Sequence, residues 1–299
     1  MKIKPKIAVL GGDLRQYAVA KELLKKNANV YASGLCVECC DCTDLKIIDN
    51  IYEAIKNSNA VVLPLPASLD GNALNCPAIK NSERVSLDEI VDGMNVNAVL
   101  LGGRIPESTV VRAQAKGIRV NDYFLSEKLQ IKNAYITAEA AVSIAMNSLD
   151  KCIKDSCFAI TGSGRISRLL AEILLKLGAK VTIAARNTDA LVYFELMGCD
   201  TVKITDNWSD KFTTGYDVIF NTVPAWLFNR EFLEKVDKQA LILELASAPG
   251  GLDICAAREL SSNVRWGASL PGKYAPYSAG SLIAECIAEI LESEEVGVL

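Results

Sequence analysis

The chain has 299 residues, 50% of them hydrophobic and 23% charged, with a formal net charge of −4, a size and composition that fit two ordinary globular domains of a soluble enzyme. The mild acidity argues against a nucleic-acid surface, and no apolar run reaches the ~18–20 residues of a membrane span. The opening residues enter a strand pattern too quickly for a secretory leader, so a cytoplasmic protein is expected.

The first half opens on Lys6-Ile7-Ala8-Val9-Leu10, a buried-strand pattern that runs into Gly11-Gly12-Asp13. A helix over 15–26 and a strand over 29–32 follow. This is a Rossmann-like start in which G-G-D stands where G-x-G-x-x-G would be. A domain that keeps the sheet without a nucleotide fingerprint is therefore expected over 1–130. Four of the ten cysteines then crowd together as Cys36, Cys39, Cys40 and Cys42. The C-x-x-C spacing is a metal-ligand signal. Four thiolates this close after a strand would close a tetrahedral site poorly, so free thiols and no metal are expected. The other cysteines read mostly as small core hydrophobes. Strands over 60–63, 98–101 and 118–120 follow, with a helix over 108–116 between the last two. Such alternation implies a parallel sheet covered on both faces.

Residues 131–150 read as a long inter-domain helix. Thr137 and Glu139 lie near its expected start, where they fit an N-cap and a favourable first-turn acid. They fit equally well as groups facing a cleft. The second domain is expected over 151–270 and carries the most informative stretch of the chain. A strand over 158–161 enters Gly162-Ser163-Gly164-Arg165-Ile166-Ser167. A helix with apolar positions Ile166, Leu169, Leu170, Ile173, Leu174 and Leu177 comes next, stops at Gly178, and gives way to a strand over 180–184. This is the context a dinucleotide fingerprint requires. Gly162 permits the tight turn, Gly164 lets backbone approach a pyrophosphate, and the helix N-terminus holds the anion.

The end of the next strand selects the cofactor. An acid there would bind the ribose 2′-hydroxyl of NAD, whereas this chain has Ala185-Arg186-Asn187. Arg186 can grip a 2′-phosphate, a contact of about 1.5–3 kcal/mol, or roughly a ten- to hundredfold preference for NADP. The plain alternative is a solvated arginine. Strands over 217–221 and 241–244 follow. Their trailing loops, with Thr222, Val223 and Pro224, then Leu245 and Ala246, should flank the nicotinamide ribose at the carboxyl ends of the sheet. Residues 271–299 form a loop and an amphipathic helix over 279–291, expected to pack back on the first domain. The fold class is thus α/β, with two doubly wound Rossmann-like parallel sheets.

The chain contains no histidine. Ser-His-Asp and Cys-His hydrolysis in their usual forms are excluded. Acid–base work falls to Lys, Asp, Glu, Tyr, Cys or water.

Taken together, several segments resemble the A subunits of the dipicolinate synthases of spore-forming bacteria, over nearly the whole chain. They are Gly11-Gly12-Asp13-Leu14-Arg15-Gln16, Leu63-Pro64, Thr137-x-Glu139, Gly162-Ser163-Gly164-Arg165 and Ala185-Arg186, then Asn221-Thr222-Val223-Pro224, Leu245-Ala246-Ser247-Ala248-Pro249-Gly250-Gly251 and Leu270-Pro271-Gly272-Lys273-Tyr274-Ala275-Pro276. Ala248, where some relatives carry a basic residue, and Ser278, where threonine is usual, depart from that pattern. The resemblance implies an NADP-linked oxidoreductase on a branch of lysine biosynthesis in sporulation. It would oxidise a dihydrodipicolinate-type intermediate to pyridine-2,6-dicarboxylate, working beside the flavoprotein-like B subunit of dipicolinate synthase and forming a homo-oligomer. Aromatisation supplies driving force, so a strongly tuned base is less necessary.

A dicarboxylate substrate calls for donors in an inter-domain cleft. Arg15 and Gln16 in a first helical turn suit one carboxylate. Lys273, in the Gly272-Lys273 loop, suits the other or a proton relay, with Thr137 and Glu139 beside it. Each has a bland counterpart: Arg15 solvated beside Asp13, Lys273 simply exposed. Two other readings stay open. One is a different NADP reductase of shikimate-dehydrogenase-like build, although its Lys–Asp patterns are not visible. The other is a non-catalytic NADP-binding subunit.

Overall fold

The first strand, β1 (Lys6–Leu10), sends Ile7 and Val9 into one apolar core and Ala8 and Leu10 into another. A strand buried on both faces is a continuous apolar run, the mark of a parallel sheet covered by helices on each side. The computed structural model describes residues 4–35, 45–56, 58–78, 84–205 and 207–294. They fall into two compact units, Met1–Asn133 with Ala275–Leu299 as unit 1 and Ala134–Tyr274 as unit 2.

In unit 1, β1 is followed by α1 (Leu14–Lys25), β2 (Asn29–Ser33), β3 (Lys46–Ile47), α2 (Ile51–Lys56) and β4 (Ala60–Val62). Then come α3 (Leu87–Gly93), β5 (Val99–Gly102), α4 (Glu107–Ala115) and β6 (Arg119–Asp122). The sheet has six parallel strands in the order β3-β2-β1-β4-β5-β6. One face packs on α1; the other packs on α2, α3 and α4 through Ile55, Ile90, Val91 and Ala113.

The helix α5 (Glu127–Met146) starts earlier than the pattern suggests. Ser126 marks its start, with its backbone oxygen accepting from Gln130 N–H at 3.0 Å and its hydroxyl accepting from Leu129 N–H at 3.4 Å. Thr137 therefore sits mid-helix and cannot be the N-cap, and Glu139 is not a first-turn acid.

Unit 2 repeats the plan with β7 (Cys157–Thr161), α6 (Arg165–Lys176), β8 (Lys180–Ala185), α7 (Thr188–Met197) and β9 (Asp200–Lys203). The second half is β10 (Val218–Asn221), α8 (Arg230–Lys235), β11 (Leu241–Glu244), α9 (Ile254–Glu259), β12 (Val264–Trp266) and α10 (Leu270–Tyr274). The six parallel strands run β12-β11-β10-β7-β8-β9. Phe158, Ile160, Val181, Ile183 and Phe220 pack against α5, α6 and α7. Ala159, Ile219 and Ile242 pack against α8 and α9.

Lys273 lies on α10 rather than in a loop. Pro271 is tolerated because the first turn of a helix needs no N–H there, and Gly272 N–H donates to Ser269 O at 3.1 Å. The chain then re-enters unit 1 as α11 (Pro276–Ser293), whose Ile283, Ile287 and Leu291 fill the core beside α1. Both sheets place the reversal of strand order beside their first strand, β1 against β4 and β7 against β10. This is the point at which open α/β sheets bind ligands.

Among the remaining cysteines, Cys199 and Cys286 are buried, but Cys152 and Cys255 are exposed, contrary to a mostly core role. Cys152 lies in the polar stretch 150–155, and Cys255 lies on the outer side of α9, whose Ala256 and Ala257 take the core face.

Candidate dinucleotide site and its surroundings

The turn after β7 has the shape its glycines suggest. Gly162 has φ +98° and donates its N–H to Ala184 O at 2.8 Å. A Cβ at this position would lie 2.5 Å from Thr222 Oγ1, so only glycine fits. Gly164 is the N-cap of α6 and supplies no side-chain cap, and a Cβ built there would meet nothing within 4 Å. The helix N-terminus of α6 is therefore open to an anion, which its N–H groups and dipole favour. Arg165 is exposed and Ile166 packs half-buried on the core, both in the first turn. Ser163 is half-buried, with its carbonyl accepting from Arg168 Nε at 3.3 Å.

The position of the third fingerprint glycine is Ser167, which is fully buried. Its hydroxyl lies 2.8 Å from Thr222 Oγ1, and Thr222 in turn donates to Thr161 O at 2.7 Å. These bonds tie the helix start to the loop after β10. Sequence reasoning missed Ser167, although its place in the G-x-G-x-x-S spacing was visible.

Arg186 is exposed at the end of β8, with no ion pair or hydrogen-bond partner among the described residues. Asn187 is committed elsewhere: its Oδ1 accepts from Ala190 N–H at 3.0 Å and caps α7. Val223 and Pro224 line the turn after β10, with Trp226 exposed just beyond. Leu245 and Ala246 are buried, Leu245 within the main core of the unit, so their backbone rather than their side chains faces the strand ends.

Beneath these loops lies a row of polar side chains that sequence reasoning did not single out. Thr161, Asn221 and Glu244 are the last residues of β7, β10 and β11, in register with one another and fully buried. Thr161 Oγ1 donates to Asn221 Oδ1 at 2.6 Å, and Asn221 Nδ2 donates to the two Glu244 oxygens at 3.0 and 2.8 Å. Glu244 also accepts from Ala246 N–H at 2.9 Å and Gly251 N–H at 3.3 Å. Burial pushes its carboxyl up, against the pull of these hydrogen bonds. The one visible signal was an acid closing the apolar run Leu241-Ile242-Leu243-Glu244.

The corresponding turn in unit 1 is closed. Gly12 N–H, which an anion would need, donates to Asn75 O at 2.8 Å. A Cβ at Gly11 would lie 2.9 Å from that same carbonyl. Asp13 accepts from Arg15 N–H at 3.0 Å and holds the guanidinium through Nε at 2.9 Å and Nη2 at 2.8 Å. Nη2 also reaches Leu65 O at 2.7 Å. Arg15 is thus buried and paired rather than solvated. Gln16 is 2% exposed and donates its amide to Leu10 O and Val62 O, bridging the ends of β1 and β4.

The other expected substrate residues belong to unit 2. Thr137 is buried on α5, whereas Glu139 is exposed. Gly272 is half-buried and Lys273 is exposed on α10, its ammonium without an ion pair among the described residues. Ala138, Ala140 and Leu270 all belong to the larger core cluster of the unit. Among the described residues no group of three or more His, Cys, Asp or Glu side chains is placed to hold a metal ion. Cys36, Cys39, Cys40 and Cys42 lie outside the described residues.

Two six-stranded parallel sheets with the same strand-order pattern, one ending in an open G-x-G turn, define an α/β protein of the Rossmann class. The particular relationship follows from comparison with known proteins. Residues 6–124 match the model of the N-terminal domain of the dipicolinate synthase A subunit. The dipicolinate synthase A subunit of Bacillus subtilis (strain 168) is 27% identical over 302 residues, covering 96% of this chain and 95% of that protein. The crystal structure of the A chain of dipicolinate synthase from Bacillus subtilis superposes with a TM-score of 0.81 at 26% identity, over 99% of this chain and 98% of that one. The A-subunit structure from Bacillus halodurans shares the fold, with a TM-score of 0.82 at 23% identity over 95% and 97% of the two chains. The chain is therefore similar to the dipicolinate synthase A subunits along nearly its whole length. No described helix is long and apolar enough to cross a membrane.

Proposed function

We propose that the chain is an NADP-dependent oxidoreductase that converts a dihydrodipicolinate-type ring to pyridine-2,6-dicarboxylate, working with a B-subunit partner. The observation that carries the cofactor reading is the open α6 N-terminus beside an exposed Arg186 that has no partner among the described residues. These residues fit a dinucleotide: Gly164 leaves the space a pyrophosphate fills, α6 supplies N–H donors, and Arg186 meets a 2′-phosphate. When bound, the oxidised nicotinamide accepts a hydride. The ring that gives up that hydride also sheds a proton, and its aromatisation drives the step.

The chain's own residues bind, orient and move that proton. On unit 2, the exposed Lys273 offers a carboxylate contact beside the Gly272 backbone, and the exposed Glu139 on α5 offers a proton acceptor, while Thr137, buried two residues earlier, holds the opposite side of that helix. On unit 1, Asp13 neutralises much of Arg15, leaving Nη1 for a carboxylate. Gln16 acts there by holding the β1 and β4 ends together. A non-catalytic NADP-binding subunit is the second reading. It is favoured by the exposure of both Lys273 and Glu139, since proton-transfer groups work best where water is excluded.

Titration of the purified chain with NADP and NAD, followed by emission of Trp226 and Trp266, tests the cofactor. Turnover of the dihydro substrate with and without the B subunit tests the chemistry. Binding of NADP with no turnover in either case selects the non-catalytic reading.

A further inference from the structure

We propose that Glu244 is a positioning residue that shapes the nicotinamide half of the cofactor site, an inference that rests on the reading of unit 2 as an NADP-binding domain. The carboxylate is 0% exposed and has no Lys or Arg partner among the described residues. Burying an acid this way is costly unless its oxygens are fully hydrogen-bonded. Here they are, and every donor comes from a strand end or a loop at the carboxyl end of the sheet. Asn221 Nδ2 comes from the end of β10, and Ala246 N–H and Gly251 N–H come from the two ends of the loop after β11. Asn221 carries the connection onward, accepting from Thr161 Oγ1 at 2.6 Å and from Val223 N–H at 3.1 Å.

One carboxylate therefore sets the backbone of two loops that reach the strand-order reversal on the β10–β11 side. The adenosine half, by the same topology, lies over β7 and β8 with Arg186. The glycines above Glu244 are fitted to it. A Cβ at Gly251 would lie 2.4 Å from Ala225 O and 2.6 Å from Val223 O. A Cβ at Gly250 would lie 2.9 Å from the Trp266 ring and 3.4 Å from the Glu244 carboxyl carbon. Glutamine cannot stand in for the acid. Its NH2 group would face the Asn221 amide or a backbone N–H, donor against donor.

The test compares full-length wild type with Glu244→Gln, using two probes: NADP and adenosine 2′,5′-bisphosphate, which lacks the nicotinamide half. NADP should bind Glu244→Gln about tenfold more weakly, while the bisphosphate binds within about twofold of wild type. Unchanged NADP affinity in Glu244→Gln, or a parallel loss for both probes, overturns the inference. If Glu244→Gln does not fold, Thr161→Val is read in its place. It removes only the hydroxyl link to Asn221 and should weaken NADP about threefold with the bisphosphate unchanged; unchanged NADP binding overturns the proposal. Wild type that binds neither probe overturns the cofactor reading itself, a result distinct from wild type that binds both and a variant that behaves alike.

Discussion

At the residue scale, Arg186 and Arg15 show how one side-chain type serves two purposes. Arg186 leaves β8 exposed, whereas Arg15 spends Nε and Nη2 on Asp13 and Leu65 O. Replacing Arg186 with alanine should weaken NADP binding by roughly ten- to hundredfold and leave NAD nearly unchanged, bringing the two affinities together; calorimetric titration of both cofactors measures it. Arg15→Ala should act differently, because it strands Asp13 and uncovers Leu65 O. A lower melting temperature is expected alongside weaker dicarboxylate binding, while Lys273→Ala should weaken dicarboxylate binding without a stability cost. Cysteine chemistry divides by burial in the same way. Burial pushes the Cys199 thiol up to about 11 and raises Cys286 as well, which starves both of thiolate at neutral pH. Among the cysteines of the described residues, exposed Cys152 and Cys255 should alkylate first under native conditions. Peptide mapping after a short iodoacetamide pulse at pH 8 checks this, with Cys199 and Cys286 modified only on unfolding.

At the element scale, the crossing of α1 and α11 depends on one missing side chain. A Cβ at Gly280 would lie 2.4 Å from Arg15 O and 2.5 Å from the Ala18 Cβ. Gly280→Ala should therefore destabilise unit 1 by about 1–3 kcal/mol through overpacking, read as a lower urea midpoint. Elements with strong patterns were legible in the sequence. The β7–α6–β8 run was visible because a buried strand, a glycine turn and an amphipathic helix all agree there. Elements with weak patterns were not. The two-residue β3, the edge strands β9 and β12 and the short helices α2, α8 and α9 bury too few apolar groups to leave a period. The start of α5 was missed because Ser126 looks like any polar residue until its hydrogen bonds are seen. Of the site, the glycines and Arg186 were readable because their role is local. The Thr161–Asn221–Glu244 row was not, because it depends on strand register, which joins residues far apart in the chain.

At the scale of the whole molecule, the two sheets share one strand-order pattern but differ at the turn after their first strand. In unit 2 the α6 N-terminus is open, while in unit 1 Asn75 O takes the Gly12 N–H. NADP should accordingly slow amide exchange over residues 162–168, 222–224 and 245–251 and leave residues 11–16 unchanged, as hydrogen-exchange mass spectrometry can show. The path of the chain has a further consequence, for how the protein is made. Unit 1 is interrupted by unit 2, and its core stays incomplete until α11 brings Ile283, Ile287 and Leu291. On the ribosome, unit 2 emerges whole while the first 133 residues still lack their closing helix. Unit 1 therefore finishes folding after unit 2 although it begins before it, a reversal of the usual N-terminal-first order. Through that interval the apolar face of α1 waits uncovered, the stretch of translation at which a chaperone has most to protect.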